Sequence, residues 1–144
     1  MGCDITAFAE SREADGAWTA RPVPDDFEWR NYSVYAFLAG VRNYSAITPI
    51  SEPRGLPEDV SEDADAACGR LDGDTHSRSW LTLAELRAFD YDQGLVDRRE
   101  NGSTLPAHLG RPMTYREYLG PQFFSALDQL EAMGATRVVF SFDG

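Results

Sequence analysis

Residues 121–143, "PQFFSALDQLEAMGATRVVFSFD", change hydrophobic period once, and that change limits the folds open to the chain. In the first half Phe123, Leu127 and Leu130 recur at helical spacing and share one face. Pro121 suits the first turn of a helix, where a missing N–H costs nothing, and Gly134 suits the left-handed residue that ends one. In the second half Val138, Phe140 and Phe142 alternate with Val139, Ser141 and Asp143, the two-residue period of a strand. Residues 3–10, "CDITAFAE", alternate in the same way, with Cys3, Ile5 and Ala7 opposing Asp4, Thr6 and Phe8. An Asp15-Gly16 turn then returns the chain as "AWTARPV", a hairpin whose second strand suits a sheet edge because Pro22 and Pro24 lack the amide donor.

Helices fill much of the middle. "DDFEWR" is expected as a loop, and "NYSVYAFLAGVRN" (31–43) as a helix capped by Asn31, with Val34, Phe37, Leu38 and Val41 on one face. Pro49, Pro53 and Pro57 hold the next segment extended and stiff. Residues 58–70 are acidic and alanine-rich and predict a short helix, which "GRLDGD" breaks. Thr82 and Glu85 form a capping box, with Leu81 and Leu86 in the staple positions, so a helix starts at Leu83 and "HSRSWL" before it is extended. Thr114 and Glu117 repeat the box, and residues 91–112 read as an irregular exposed loop. With 144 residues, 42% of them hydrophobic, and no repeat or linker, the chain reads as a single domain over 1–144. The fold class is α+β: a small, mainly antiparallel sheet containing both terminal strands, packed by several helices. The helix-to-strand ending also permits a parallel pairing.

Charge narrows the function. The formal net charge is −11, which disfavours general nucleic-acid binding and suits a basic partner. The chain contains no lysine, so Schiff-base and P-loop lysine chemistry are excluded, and an anion must be held by the planar forks of arginine. Cys3 and Cys68 form no C-x-x-C pair and suit free thiols in a reducing compartment. No apolar run is long enough to cross a bilayer, and the first residues lack the pattern of a signal peptide, so a cytoplasmic location is expected, without a membrane partner.

Two groups of residues invite chemistry. Arg42 and Asn43 follow a helix, and Arg54 sits in the proline-stiffened loop, where a guanidinium can meet a phosphate or carboxylate at low entropic cost. His76, Ser77, Ser79 and Trp80 are not needed for helix capping, and they offer hydrogen bonds and a stacking face. Arg54 can equally tie down its own loop, and for Trp80 anchoring of the helix in the core is the favoured reading. The second group is Asp4, Asp74, His76 and Asp143, with Asp72 close by in sequence. Asp4 and Asp143 share a polar face if the terminal strands are neighbours, and D-x-D-x-H offers oxygen and imidazole ligands to a divalent metal. Solvated aspartates and a surface histidine account for the same residues. A dyad of Cys3 with His76 is conceivable, but a cysteine on an inward strand face is more often an inert core residue.

The segments "MGCDI", "NYSVYAFLAGVRN", "PISEPRGLPEDV", "HSRSWLTLAEL" and "RVVFSFD" together resemble an uncharacterised family of small proteins encoded by bacteriophages and bacteria. Members of that family often carry histidine at the position of Thr6, and histidine or an aromatic residue at that of Arg78. If the family histidine is a metal ligand, Thr6 weakens a metal site here. The resemblance implies a phage-type accessory protein acting against host defence in the host cytoplasm. The leading expectation is therefore a non-catalytic protein without cofactor that binds or sequesters a small anionic, nucleotide-like ligand or inhibits a host defence enzyme, with that ligand or a host protein as its partner. The alternatives are a metal-assisted hydrolase and an acidic mimic of nucleic acid.

Overall fold

The structure, a computed structural model, describes residues 2–71 and 73–144. Strand β1 (Asp4–Arg12) turns through Asp15 and Gly16 into β2 (Trp18–Pro22). Helices α1 (Asp25–Glu28) and α2 (Tyr32–Ala39) follow, then a long loop and α3 (Glu62–Cys68). Strand β3 (Thr75–Thr82) runs into α4 (Leu83–Ala88). Four short strands come next: β4 (Gly94–Asp97), β5 (Arg99–Glu100), β6 (Ser103–Thr104) and β7 (Arg111–Thr114). Helices α5 (Tyr115–Leu119) and α6 (Pro121–Ala132) lead to the last strand, β8 (Arg137–Asp143).

The main sheet has the order β2-β1-β8-β3, and every pairing in it is antiparallel, so the parallel option does not occur. Both terminal strands sit at its centre, with Asp4 opposite Asp143. Ile5, Ala7, Ala9, Leu81, Val138, Phe140 and Phe142 pack with apolar residues of α1, α2, α4, α5 and α6 in the main core. Phe37 is the hub, its ring within 6 Å of those of Phe89, Tyr91, Tyr115 and Phe123. On the opposite face α3 lies across β1, β2 and β8, where Ala64 and Cys68 meet Val139, Phe8 and Trp80.

Both capping boxes form as the sequence requires, Thr82 with Glu85 and Thr114 with Glu117. Gly134 takes φ 74, ending the turn after α6. Three expectations are corrected. The helix from Asn31 stops at Gly40, whose left-handed φ of 70 lets its N–H close on Ala36 O, so Val41, Arg42 and Asn43 lie in a loop. "DDFEWR" contains the short helix α1: Phe27 is buried, and acids in its first turn match the positive helix end. Residues 91–112 are not irregular throughout, because β4 pairs with β7 and β5 with β6.

One irregularity in β3 matters for the site. Its register on β8 shifts between His76 and Ser79, a bulge in which Ser77 has φ 54. Residues 51–55 run along the outer side of the same strand, with the N–H of Gly55 donating to Arg78 O at 2.8 Å and that of Arg54 to Ser79 Oγ at 3.0 Å.

Candidate functional site

The seven residues expected to share one hollow divide between two hollows and the loops around them. The larger hollow, 660 Å³, lies at the end of the sheet where β1 begins and β8 finishes, and Asp4, Arg42, Arg70, Asp74 and Asp143 line it. The second, 540 Å³, lies beside α3 and is walled by Arg54, Leu56, Asp59, Trp80 and Arg137. Arg54 and Trp80 thus meet as expected, but Arg42 stands in the other hollow.

In the second hollow the cations already have anions. Arg54 Nη1 and Nη2 donate to Glu85 Oε1 and Oε2 at 2.9 and 2.5 Å, and Nη1 also reaches Trp80 O. Nε donates to Ser51 Oγ, and the guanidinium lies 4.9 Å from the Trp80 ring centre. Glu85 is the same carboxylate that closes the capping box on Thr82, so one side chain fixes the start of α4 and the proline loop together. Arg137 is buried, with Nε 2.5 Å from Glu10 Oε1 and Nη1 2.9 Å from Asp59 Oδ1. Its guanidinium lies 3.7 Å from the Trp18 ring centre, and Trp18 Nε1 donates to Asp59. These bonds make the second hollow a structural clamp between sheet, loop and α3.

The Arg54 bonds hold Glu85 well below its ordinary 4.5, at about 2, with Thr82 contributing further. A depressed folded-state value stabilises the fold above the unfolded-state value, and that gain disappears as pH falls through the folded-state one. Stability is expected to decline between about pH 4.5 and about pH 2, and Glu85→Gln to remove that part of the slope while lowering stability at pH 7. Urea unfolding followed across that window checks it; an unchanged slope in the variant contradicts the assignment.

At the sheet end the arrangement differs. Arg42 holds a left-handed backbone, φ 51, which costs a non-glycine residue energy and persists only where surroundings impose it. Beside it the N–H of Tyr44 donates to Arg42 O, and the Asn43 side chain bonds both the N–H and the C=O of Ile47. Asn43 therefore shapes the loop that presents Arg42, and its own polar atoms face the chain. The Arg42 guanidinium lies 5.6 Å from the Tyr32 ring centre, and among the described residues no carboxylate lies within ion-pair distance of it. Asp4 is paired with Arg30, Nε and Nη2 each donating at 2.9 Å. Asp143 Oδ1 accepts from Thr75 Oγ1 at 3.0 Å.

The residues of the metal reading come only partly together. Asp4, Asp74 and Asp143 line the sheet-end hollow. His76, however, is opposite Phe142 in the ladder and stacks on its ring, which places it on the other face from Asp143. Its Nδ1 lies 3.0 Å from Ser77 Oγ, so these two residues partner each other, while Ser79 is buried and accepts from Arg54 N–H. Among the described residues no three His, Cys, Asp or Glu side chains group closely enough to hold an ion. Asp72 lies outside the described residues. Cys3 and Cys68 are free and buried, and burial pushes both thiols up, Cys68 to about 11, which argues against a thiolate at Cys3.

Sequence reasoning passed over Arg70 and the Glu10–Arg137 pair. Arg70 lies where the expected acidic helix, 58–70, meets the segment "GRLDGD" that breaks it. Glu10 continues the alternation Asp4, Thr6, Phe8 on the face that Arg137 shares, and that register was the available signal.

The fold and hollow define an α+β protein with a guanidinium presented at the end of its sheet. Comparison with protein-family models, curated proteins and solved structures finds no match for the chain.

Proposed function

We propose that this chain is a non-catalytic binding protein that takes a small anionic, nucleotide-like ligand at the sheet-end hollow. The observation that carries the reading is Arg42: a cation at a 660 Å³ hollow, on a strained backbone, without a carboxylate partner among the described residues. That volume lies within the range of small-molecule sites. The lining holds two arginines, Arg42 and Arg70, and three aspartates, of which Asp4 is already matched by Arg30 from outside the hollow. Holding such a ligand without turning it over lowers its free concentration, an accessory role in keeping with the resemblance to small phage proteins.

Titration calorimetry against the four ribonucleoside 5′-monophosphates and inorganic phosphate tests the reading. A charge-assisted bond contributes about 1.5–3 kcal/mol, so Arg42→Ala is expected to weaken binding roughly tenfold to a hundredfold. Arg54→Ala, which removes a partner of Glu85, is expected to lower stability and leave affinity unchanged. Absence of binding, or affinity indifferent to Arg42→Ala, overturns the proposal.

A further inference from the structure

The two central strands place Asp4 and Asp143 directly opposite each other. Side chains in such positions stand about 4.5–5.5 Å apart, and like charges there destabilise a sheet. The two carboxylates are treated differently. Both oxygens of Asp4 accept from Arg30, so its charge is matched. Among the described residues Asp143 receives one side-chain hydrogen bond, from Thr75 to Oδ1, has no ion pair, and has no donor to Oδ2. An ionised carboxylate accepts at up to about four lone-pair sites and donates at none. Asp143 therefore offers the hollow acceptor capacity that the fold leaves unused.

Arg42 lines the same hollow from the loop after α2, an element separate from β8. A molecule that satisfies both needs an anionic group for the guanidinium and hydrogen-bond donors for the carboxylate. An amino acid carries both on one carbon and leaves most of 660 Å³ unfilled. A phosphate on a sugar with free hydroxyls carries them on separate atoms and fills more of the space. We infer that the sheet-end hollow takes a phosphorylated sugar with free hydroxyls, with Arg42 on the phosphate and Asp143 accepting from the hydroxyls. This rests on the anion-binding role proposed above for Arg42. The same chemistry occurs in a ribonucleotide and in a free sugar phosphate.

Calorimetry with the four ribonucleoside 5′-monophosphates, their 2′,3′-dideoxy analogues and ribose 5-phosphate separates the cases. The ribonucleotide that binds is expected to bind at least tenfold more tightly than its dideoxy analogue. Asp143→Ala is expected to remove that difference, and Arg42→Ala to weaken both compounds. Asp143→Asn, which keeps the size and one acceptor oxygen, is expected to retain part of the preference, and circular dichroism checks that each variant folds. Binding of ribose 5-phosphate alone supports the free sugar phosphate, and binding that needs a base supports the nucleotide. Equal affinity for ribo and dideoxy forms, both weakened by Arg42→Ala, overturns the hydroxyl inference and leaves the anion reading standing. No binding of any of these compounds overturns both.

Discussion

Glu10→Ala is expected to lower the unfolding free energy by about 3–5 kcal/mol, the range for removing one partner of a buried ion pair. Glu10 is fully buried at the end of β1, and both its oxygens are in use. Oε1 meets Arg137 Nε at 2.5 Å, and Oε2 accepts from the N–H of Ser61 at 2.8 Å. Ser61 is the N-cap of α3, its own oxygen accepting from Ala64 N–H. Truncation at Glu10 therefore removes the nearest anion from a buried guanidinium and leaves a buried backbone donor at the start of α3 unpaired. Asp59 still faces Arg137, but its side chain is 55% exposed and its attraction is partly screened. The double variant Glu10→Leu with Arg137→Met is expected to cost less than the sum of the single variants, since no unpaired charge is left buried. Urea unfolding of the parent, Glu10→Leu, Arg137→Met and the double variant, with Glu10→Ala beside them, measures this. Additive losses, or a loss below about 1 kcal/mol for Glu10→Ala, contradict the picture of a coupled network.

Phe37→Ala is expected to cost a similar amount, about 3–5 kcal/mol, through a different mechanism. The ring is fully buried on α2 and meets four other rings, with centroids at 4.9 Å from Phe89, 5.7 Å from Tyr91, 5.9 Å from Tyr115 and 5.8 Å from Phe123. Those partners come from two stretches, 89–91 and 115–123, both far from Phe37 in the chain, so closing on the space would move several elements. The loss then combines removed apolar contact with a residual cavity. Phe37→Leu, which keeps much of the volume, is expected to lose less. Matching losses for the two variants contradict the role of the ring as the hub.

What the sequence made legible follows the range of the interactions involved. The capping boxes are local, so Thr82 with Glu85 and Thr114 with Glu117 could be read from four residues each. The alternation in residues 3–10 and 137–143 is also local, and it placed Asp4 and Asp143 on one polar face if the strands met. The end of α2 was misjudged because Val41 continues the apolar spacing, whereas Gly40 before it takes the left-handed conformation that stops a helix. The ladder of β4 with β7 joins residues from Asp97 with Arg111 to Gly94 with Thr114, well beyond one turn, and Pro112 sits within it, so no local period announced it. Arg54 was legible as a rigidly held cation, but Glu85, which engages it, is 31 positions away. Arg42 and Arg54 were placed together for the same reason: sequence identifies which groups are presented, and only the bulged strand and the sheet order decide which hollow receives them. His76 is turned from Asp143 simply because adjacent residues of a strand alternate.

The segment 51–55 lying along β3 has a consequence for how copies of the protein can meet. An unpaired strand is a template on which another chain can add, and a sheet open on both sides can propagate into a polymer. Here one side is occupied by the chain's own backbone through Gly55 and Arg78, which leaves β2 as the other outer strand. Two copies joined along β2 would each present an occupied flank, so strand addition would terminate after a single pairing.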